Sequence, residues 1–492
     1  MKKIFLPAAL LVVSCNKLSE NPNSEIVSSQ FYKTSSDAVA AVTAVYSTLN
    51  SDPAGDFPIY GRNLNLLIEN ASDNQVYSPS NTNPDVRALG TETYVSSNDR
   101  VHKTWQQHYY GISRANVAID NIPQIPLTQF ADTTLRPRLV REAKFIRALL
   151  YFNLVRMFGP VPLVLHDPAT VNVNALKIPR SSVDSIYAQI INDLNDATQL
   201  PAIYTGANIG RATSGAAHAL LAKVYVTRRD WTDALSEIDT VTNSGLYGLF
   251  PNFRDAFQKA TKNGIEHIFS VQFESNLGAV NSEQFLSLSF ASFNTSVWPA
   301  DVPADSSVSQ LFSNADTRKV VTFYTTQYNA ATGQTVVFQN AYTPYLNKFV
   351  DYSLSPLSNQ SKSGLNYPVI RYAEILLLKA EVLNELQGPT GSAYTAINQV
   401  RERAGIGDLS TGLTQAAFRD SVFLERRKEF IQEGQRWFDL ARRGGTYLFD
   451  AVTTIAAKQV ANGGGAAVKD TLFPIPLTEI QLNSLLTQNA GW

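Results

Sequence analysis

Three glutamates, Glu425, Glu429 and Glu433, recur at four-residue intervals and are the strongest sequence signal for acid–base work. That spacing puts them on one side of a helix. Hydrolysing a glycosidic bond needs two carboxyl groups on opposing elements, roughly 5–9 Å apart, with the sugar between them. A single stack with Arg426, Arg427 and Lys428 interleaved predicts a salt-bridged helix face instead. The five histidines (His102, His108, His166, His218 and His267) contain no H-E-x-x-H and no i,i+4 pair, so no metal signature appears. His218 falls in an apolar helical stretch and reads as a core histidine. No G-x-S-x-G elbow, Walker A loop or helix-opening G-x-G-x-x-G is present, and Gly463-Gly464-Gly465 lacks the Lys-Ser/Thr that would follow. These residues predict no catalytic centre, no metal and no cofactor.

A second set suits recognition. Sugar rings present flat C–H faces and hydroxyls, which aromatic rings and Asn, Asp, Gln or Arg side chains meet. Trp298, with Phe293 and Asn294, lies in a polar loop that is a poor place to bury an indole. Tyr60 and Arg62, with Asp73, Asn74 and Tyr77, form a second lip of the same composition. Trp105, Trp231 and Trp437 sit in helical patterns and read as core.

Helices must position these loops. Arg141–Phe158 carries Phe145, Ala148, Leu149, Phe152 and Val155 on one face and stops at Gly159-Pro160. Thr213–Arg229 pairs with Trp231–Asn243, and Tyr372–Leu386 with Ser392–Ala404; Phe418–Arg443 reads as one long charged helix. In the first pair Leu221, Ala222 and Tyr225 precede Ala234, Ile238 and Val241. In the second, Ala380 and Leu383 precede Ala393, Ile397 and Val400. This small–large spacing is that of tetratricopeptide units, though it also serves any antiparallel helical hairpin. The stretches Gly55–Thr104 and Phe273–Ser363 are polar and aromatic with few helical signals, and Ile265–Phe273 and Gln334–Gln339 read as hairpin strands. Aromatics recur through the second stretch, among them Phe285, Phe290, Phe312, Phe323, Tyr324 and Tyr328, and predict ordered loops.

The 492 residues are 44% apolar, enough for a large core and against wholesale disorder. Lys and Arg total 41 against 42 for Asp and Glu, so no electrostatic case exists for nucleic acid. The single cysteine, Cys15, excludes an internal disulfide. It follows Met1-Lys2-Lys3 and the uncharged run Ile4–Val13, the layout of a secretory signal. As a helix that run spans about 15 Å, half a bilayer core. Leu11-Val12-Val13-Ser14-Cys15 resembles a bacterial lipobox. The expected layout is a signal peptide over 1–14, a lipidated stem over 15–30 and one domain over 31–492.

Several segments resemble the SusD/RagB family of Bacteroidetes outer-membrane lipoproteins. They begin with Arg141-Glu142-Ala143-Lys144-Phe145-Ile146-Arg147-Ala148-Leu149-Leu150-Tyr151-Phe152 and Phe158-Gly159-Pro160-Val161-Pro162-Leu163. Arg371-Tyr372-Ala373-Glu374-Ile375-Leu376-Leu377-Leu378-Lys379-Ala380-Glu381 and Ile397-Asn398-Gln399-Val400-Arg401-Glu402-Arg403-Ala404-Gly405 follow. Next come Glu425-Arg426-Arg427-Lys428-Glu429-Phe430 and Glu433-Gly434-Gln435-Arg436-Trp437-Phe438-Asp439-Leu440. Phe473-Pro474-Ile475-Pro476 and Gln488-Asn489-Ala490-Gly491-Trp492 close the chain in the same style. The resemblance implies a mainly α fold: about four tetratricopeptide-like helical pairs, long irregular loops and a few short β-hairpins. It implies a non-catalytic, surface-exposed lipoprotein, lipid-anchored in the outer membrane through Cys15, that captures oligosaccharide for a SusC-like TonB-dependent transporter. The alternatives are capture of a peptide or other nutrient, the protein again acting as a lid on the transporter, and a surface glycoside hydrolase. The matched motifs are scaffold, so the ligand residues Trp298, Asn294, Phe293, Tyr60, Arg62, Asn74 and Tyr77 rest on composition and loop position.

Overall fold

The computed structural model describes residues 31–492 except 79–80, 169–171, 175, 275, 277, 279, 282–300, 330–332, 340–342, 355–362 and 464–468. Cys15, Phe293, Asn294 and Trp298 lie outside the described residues.

The N-terminal half is helical. It comprises α1 (Ser35–Asn50), α2 (Leu64–Ile68), the short strand β1 (Gln75–Tyr77), α3 (Pro84–Thr91), α4 (Asp99–Asn121), α5 (Leu135–Phe158), α6 (Val183–Ala197), α7 (Ser214–Arg228) and α8 (Trp231–Asn243). α5 is apolar on nearly every side because α1, α4 and α6 all pack on it. Its one buried guanidinium, Arg147, forks onto Asp193 of α6 with two bonds of 2.8 Å and also reaches Asn116 of α4. The helix starts six residues before the apolar run, at Leu135; Pro137 is tolerated in a first turn that has no intrahelical donors to lose. It stops where Gly159 takes a φ of +68°.

Strands follow, each in a two-stranded antiparallel sheet: β2 (His267–Val271), β3 (Asp301–Pro303), β4 (Phe323–Tyr324), β5 (Thr326–Asn329), β6 (Gln334–Val337), β7 (Tyr345–Leu346) and β8 (Tyr367–Arg371). The β5/β6 pair is the hairpin expected near Gln334. Ile265–Phe273 is not a hairpin: β2 pairs with β8, His267 opposite Arg371, across the whole intervening loop region. The buried side chains of both strands, Phe269 and Ile370 among them, close over α5 and α7 rather than turning back locally.

The helical pairs resume with α9 (Tyr372–Gln387) and α10 (Gly391–Arg403), followed by α11 (Gln415–Phe430), α12 (Arg436–Arg443) and, near the C-terminus, α13 (Leu477–Leu482). The α7/α8 and α9/α10 pairs form as the spacing predicts, with Leu221, Ala222, Ala234, Ile238, Ala380, Ala393, Ile397 and Val400 fully or almost fully buried. α9 then packs on α8 and α11, so the hairpins stack. Buried Lys223 of α7 bonds Glu374 of α9 at 2.8 Å and ties the two layers. His218 lies at the rim rather than in the core, its Nδ1 2.6 Å from Glu237 of α8.

Two further expectations change. Gly55–Thr104 holds α2, α3 and the start of α4, launched by caps at Asn83-Pro84 and Asn98-Asp99 whose Asn side chains accept backbone N–H bonds. Phe418–Arg443 is two helices, broken over 431–435. At the break Gln432 and Gly434 have φ of +69° and +66°, and a Cβ on Gly434 would sit 2.9 Å from Asn65 Oδ1. The turn is pinned from both sides, Glu433 receiving Arg371 and the Gly434 N–H donating to Glu69.

Candidate ligand-binding site

The charged stretch after Phe418 builds the interior behind the loops. Arg371, 1% exposed, donates Nε and Nη2 to Glu433 at 2.8 Å each and Nη1 to Glu429 at 3.0 Å. Arg318 reaches Glu429 and forks onto Asp316, Arg403 reaches Glu266 and Glu429, and Lys348 reaches Glu433. Burial pushes the Glu429 carboxyl up, but the guanidiniums of Arg403, Arg371 and Arg318 outweigh it and hold the group well below the usual carboxylate range. Glu425, Glu429 and Glu433 are thus all buried and charge-paired, and their partners come from other elements rather than from Arg426, Arg427 and Lys428 on an exposed face. Only Lys428 pairs locally, at 3.4 Å from Glu425.

In front of this interior, β1 and β3 pair with Val76 opposite Val302 and Tyr77 opposite Asp301. Val76 and Val302 rest on Tyr324, Phe338, Tyr345 and Val350, a small apolar cluster that Tyr77 and Val336 also touch. The strand pair sets Tyr77 opposite Asp301, which is three residues after Trp298 in sequence. Tyr77 is half-buried, and the exposed Arg87 of α3 places its guanidinium 4.7 Å from the ring centroid. Arg87 was not legible as a site residue; its one sequence sign is its place one turn after the Asn83-Pro84 start signal.

The other lip residues lie deeper. Tyr60 is 3% exposed, accepts a hydrogen bond from Asn153 Nδ2 at 2.9 Å, and burial pushes its hydroxyl up to about 12. Arg62 is buried with its guanidinium 4.4 Å over the Phe57 ring. Asn74 is fully buried, donating to Glu69 at 3.1 Å and accepting from Arg427 Nε at 3.0 Å. Asp73 takes a fork from Arg436 at 2.7 and 2.8 Å; burial raises its carboxyl, yet Arg436 and Arg427 together hold it at about 2. These four residues form the floor under the lip, and of the five lip residues Tyr77 alone is not buried. Phe312, Phe323 and Tyr324 are likewise buried in small satellite clusters, whereas Tyr328 on β5 is exposed. Among the described residues no group of three or more His, Cys, Asp or Glu is arranged to hold a metal ion, and no helix is long and apolar enough to cross a membrane.

Two family models match successive parts of the chain. One, described as "Starch-binding associating with outer membrane", matches residues 21–226, and the other, the SusD family, matches residues 266–492. The chain belongs to the SusD family. SusD-like protein P2 of Formosa agariphila is 28% identical, the similarity covering 100% of this chain and 99% of that one. A crystal structure of a SusD superfamily protein from Parabacteroides distasonis matches the fold with a TM-score of 0.79 and 26% identity over 95% of this chain and 100% of that one. A laminarin-binding SusD-like protein matches with a TM-score of 0.75 and 25% identity over 94% and 100% of the two chains. The mainly helical architecture with few short strands is therefore the SusD architecture. The paired, buried carboxylates belong to this SusD-type scaffold, and the lip of β1, β3 and α3 is carried upon it.

Proposed function

We propose that this protein is a non-catalytic glycan-capturing lipoprotein of the outer membrane, anchored through Cys15 and facing the exterior. The lip bearing Tyr77 and Arg87, together with Phe293, Asn294 and Trp298, holds neutral oligosaccharide and passes it to a SusC-like TonB-dependent transporter. The observation that carries the reading is membership of the SusD family with a laminarin-binding neighbour matched over 94% of the chain. Three further observations support it. The near-balanced charge suits a neutral ligand. Tyr77 offers an aromatic face with a guanidinium beside it, the combination that stacks on a ring and bonds its hydroxyls. The one carboxylate series that could have served hydrolysis is buried and consumed in ion pairs.

Isothermal titration against soluble oligosaccharides and peptides tests the proposal, with product analysis on the same mixtures. Saturable glycan binding without turnover is expected. Peptide binding alone would replace the ligand class, and glycan cleavage by the pure protein would end the non-catalytic reading. Protease shaving of intact cells tests orientation: loss of the protein alongside known surface proteins is expected.

A further inference from the structure

A cleft of about 510 Å³ lies away from the lip, between α4, the 52–54 turn, the segment around Pro162 and Val164, and α13. None of its lining residues belongs to β1, β3 or α3. Its volume is in the range of small-ligand clefts. We propose that it is a second saccharide site, taking a neutral ligand of one to three rings; the ligand class rests on the glycan-capture reading above.

The chemistry is written along α4. Lys103, Gln106, Gln107 and Tyr110 fall on one helix face at spacings of three and four. Beneath them Trp105 is 3% exposed and lies 5.0 Å, centroid to centroid, from Tyr109, whose hydroxyl donates to the Pro162 carbonyl at 2.7 Å and so fixes the ring. Tyr110 is half-buried and held by the guanidinium of Arg114, 4.9 Å from its centroid. The cleft therefore has a preorganised aromatic wall, which spares a ligand the cost of ordering it.

Its polar groups fall into two sets. Gln107 is committed to Asp52 and the Phe57 carbonyl, and Asn483 to the Ile178 carbonyl, so both build the walls. The Lys103 amine and the Gln106 amide have no side-chain hydrogen bond or ion pair among the described residues, and both line the cleft. Across from them Glu479 is held by His102 at 3.1 Å through one oxygen. The charged lining residues are Lys103 against Asp52 and Glu479, one positive to two negative, which gives an anionic ligand no advantage. Among the described residues no strand borders it, so an extended peptide finds no edge to pair with. Aromatic faces ringed by hydrogen-bond donors and acceptors fit a pyranose.

Saturation-transfer NMR with maltose, cellobiose, laminaribiose and xylobiose at millimolar concentration tests this on the wild type, on Tyr77→Ala, and on Gln106→Ala/Tyr110→Ala. The expected result is a signal for at least one disaccharide that persists in Tyr77→Ala and is lost in the double variant. Gln106→Trp, a substitution at an exposed position, keeps the test sound should the double variant melt early: its indole fills the cleft and abolishes the same signal. A signal lost in Tyr77→Ala but kept in both cleft variants places the sugar at the lip and overturns the second site. No disaccharide signal while longer glycans bind the wild type overturns the cleft and leaves the capture reading standing. No binding of any glycan overturns both.

Discussion

The guanidinium of Arg87 sits 4.7 Å from the ring centroid of Tyr77, one from helix α3 and the other from strand β1. The contact lays the guanidinium over the half-buried ring and braces it against the lip. A cation–π contact at an exposed site contributes about 0.5–1 kcal/mol. Arg87→Ala is therefore expected to shift the melting temperature little while weakening glycan binding several-fold, because the ring loses its brace and the ligand a donor. Titration of the variant beside a thermal melt checks both halves.

Arg371 is the hub of the buried charges. Removing one partner of a buried network leaves uncompensated charge and costs about 3–5 kcal/mol. Arg371→Ala takes one partner from each of Glu266, Glu429 and Glu433, which keep Arg403, Arg318 and Lys348, and is expected to lose about that much, read by urea unfolding. Arg371→Lys keeps the charge but not the fork, and is expected to fall between the two.

Gly434 holds the break between α11 and α12 at φ +66°, its N–H bonded to Glu69 Oε1 at 2.8 Å. Gly434→Ala adds a Cβ into contact with Asn65 Oδ1 in a left-handed conformation, for which about 1–3 kcal/mol of destabilisation is expected in chemical denaturation. Gly391, with open space around it and an ordinary φ, is the control: Gly391→Ala is expected to be neutral or slightly stabilising.

Glu69 carries a pH signature. Burial raises its carboxyl to about 7, against the bonds from Asn74 and the Gly434 N–H that favour the charged form. The folded chain thus keeps this proton at pH values where the unfolded chain has released it. Its contribution to stability is whole below the ordinary carboxylate range and is lost as pH rises to about 7. Glu69→Gln stays neutral throughout and is expected to flatten the fall in melting temperature between about pH 5 and about pH 8. An unchanged slope would mean that Glu69 is ionised in the fold at neutral pH.

The helical hairpins were legible because burying one face of each helix imposes a 3.6-residue period, visible at Leu221, Ala234, Ala380 and Ile397. The break at 431–435 was not, because the groups that meet it, Asn65, Glu69 and Arg371, all lie more than sixty residues away in sequence. The β2/β8 pairing was hidden for the same reason of distance. At the lip, Asn70-Ala71-Ser72-Asp73-Asn74 reads as an exposed polar loop, yet Arg427 and Arg436 satisfy it from α11 and α12 and permit its burial. A polar run cannot announce that its hydrogen-bond partners lie inside the protein. Tyr77 is the one residue of that lip left half-buried, on a strand paired with Asp301–Pro303.

The most direct test of glycan capture at the lip is calorimetric titration of laminarihexaose and a panel of other soluble glucans into the wild type, Tyr77→Ala and Trp298→Ala. The account predicts saturable binding of at least one glycan by the wild type and a loss of at least about tenfold, some 1.4 kcal/mol, in each variant at unchanged melting temperature. Equal affinity in all three proteins, or no glycan bound by the wild type, would contradict it.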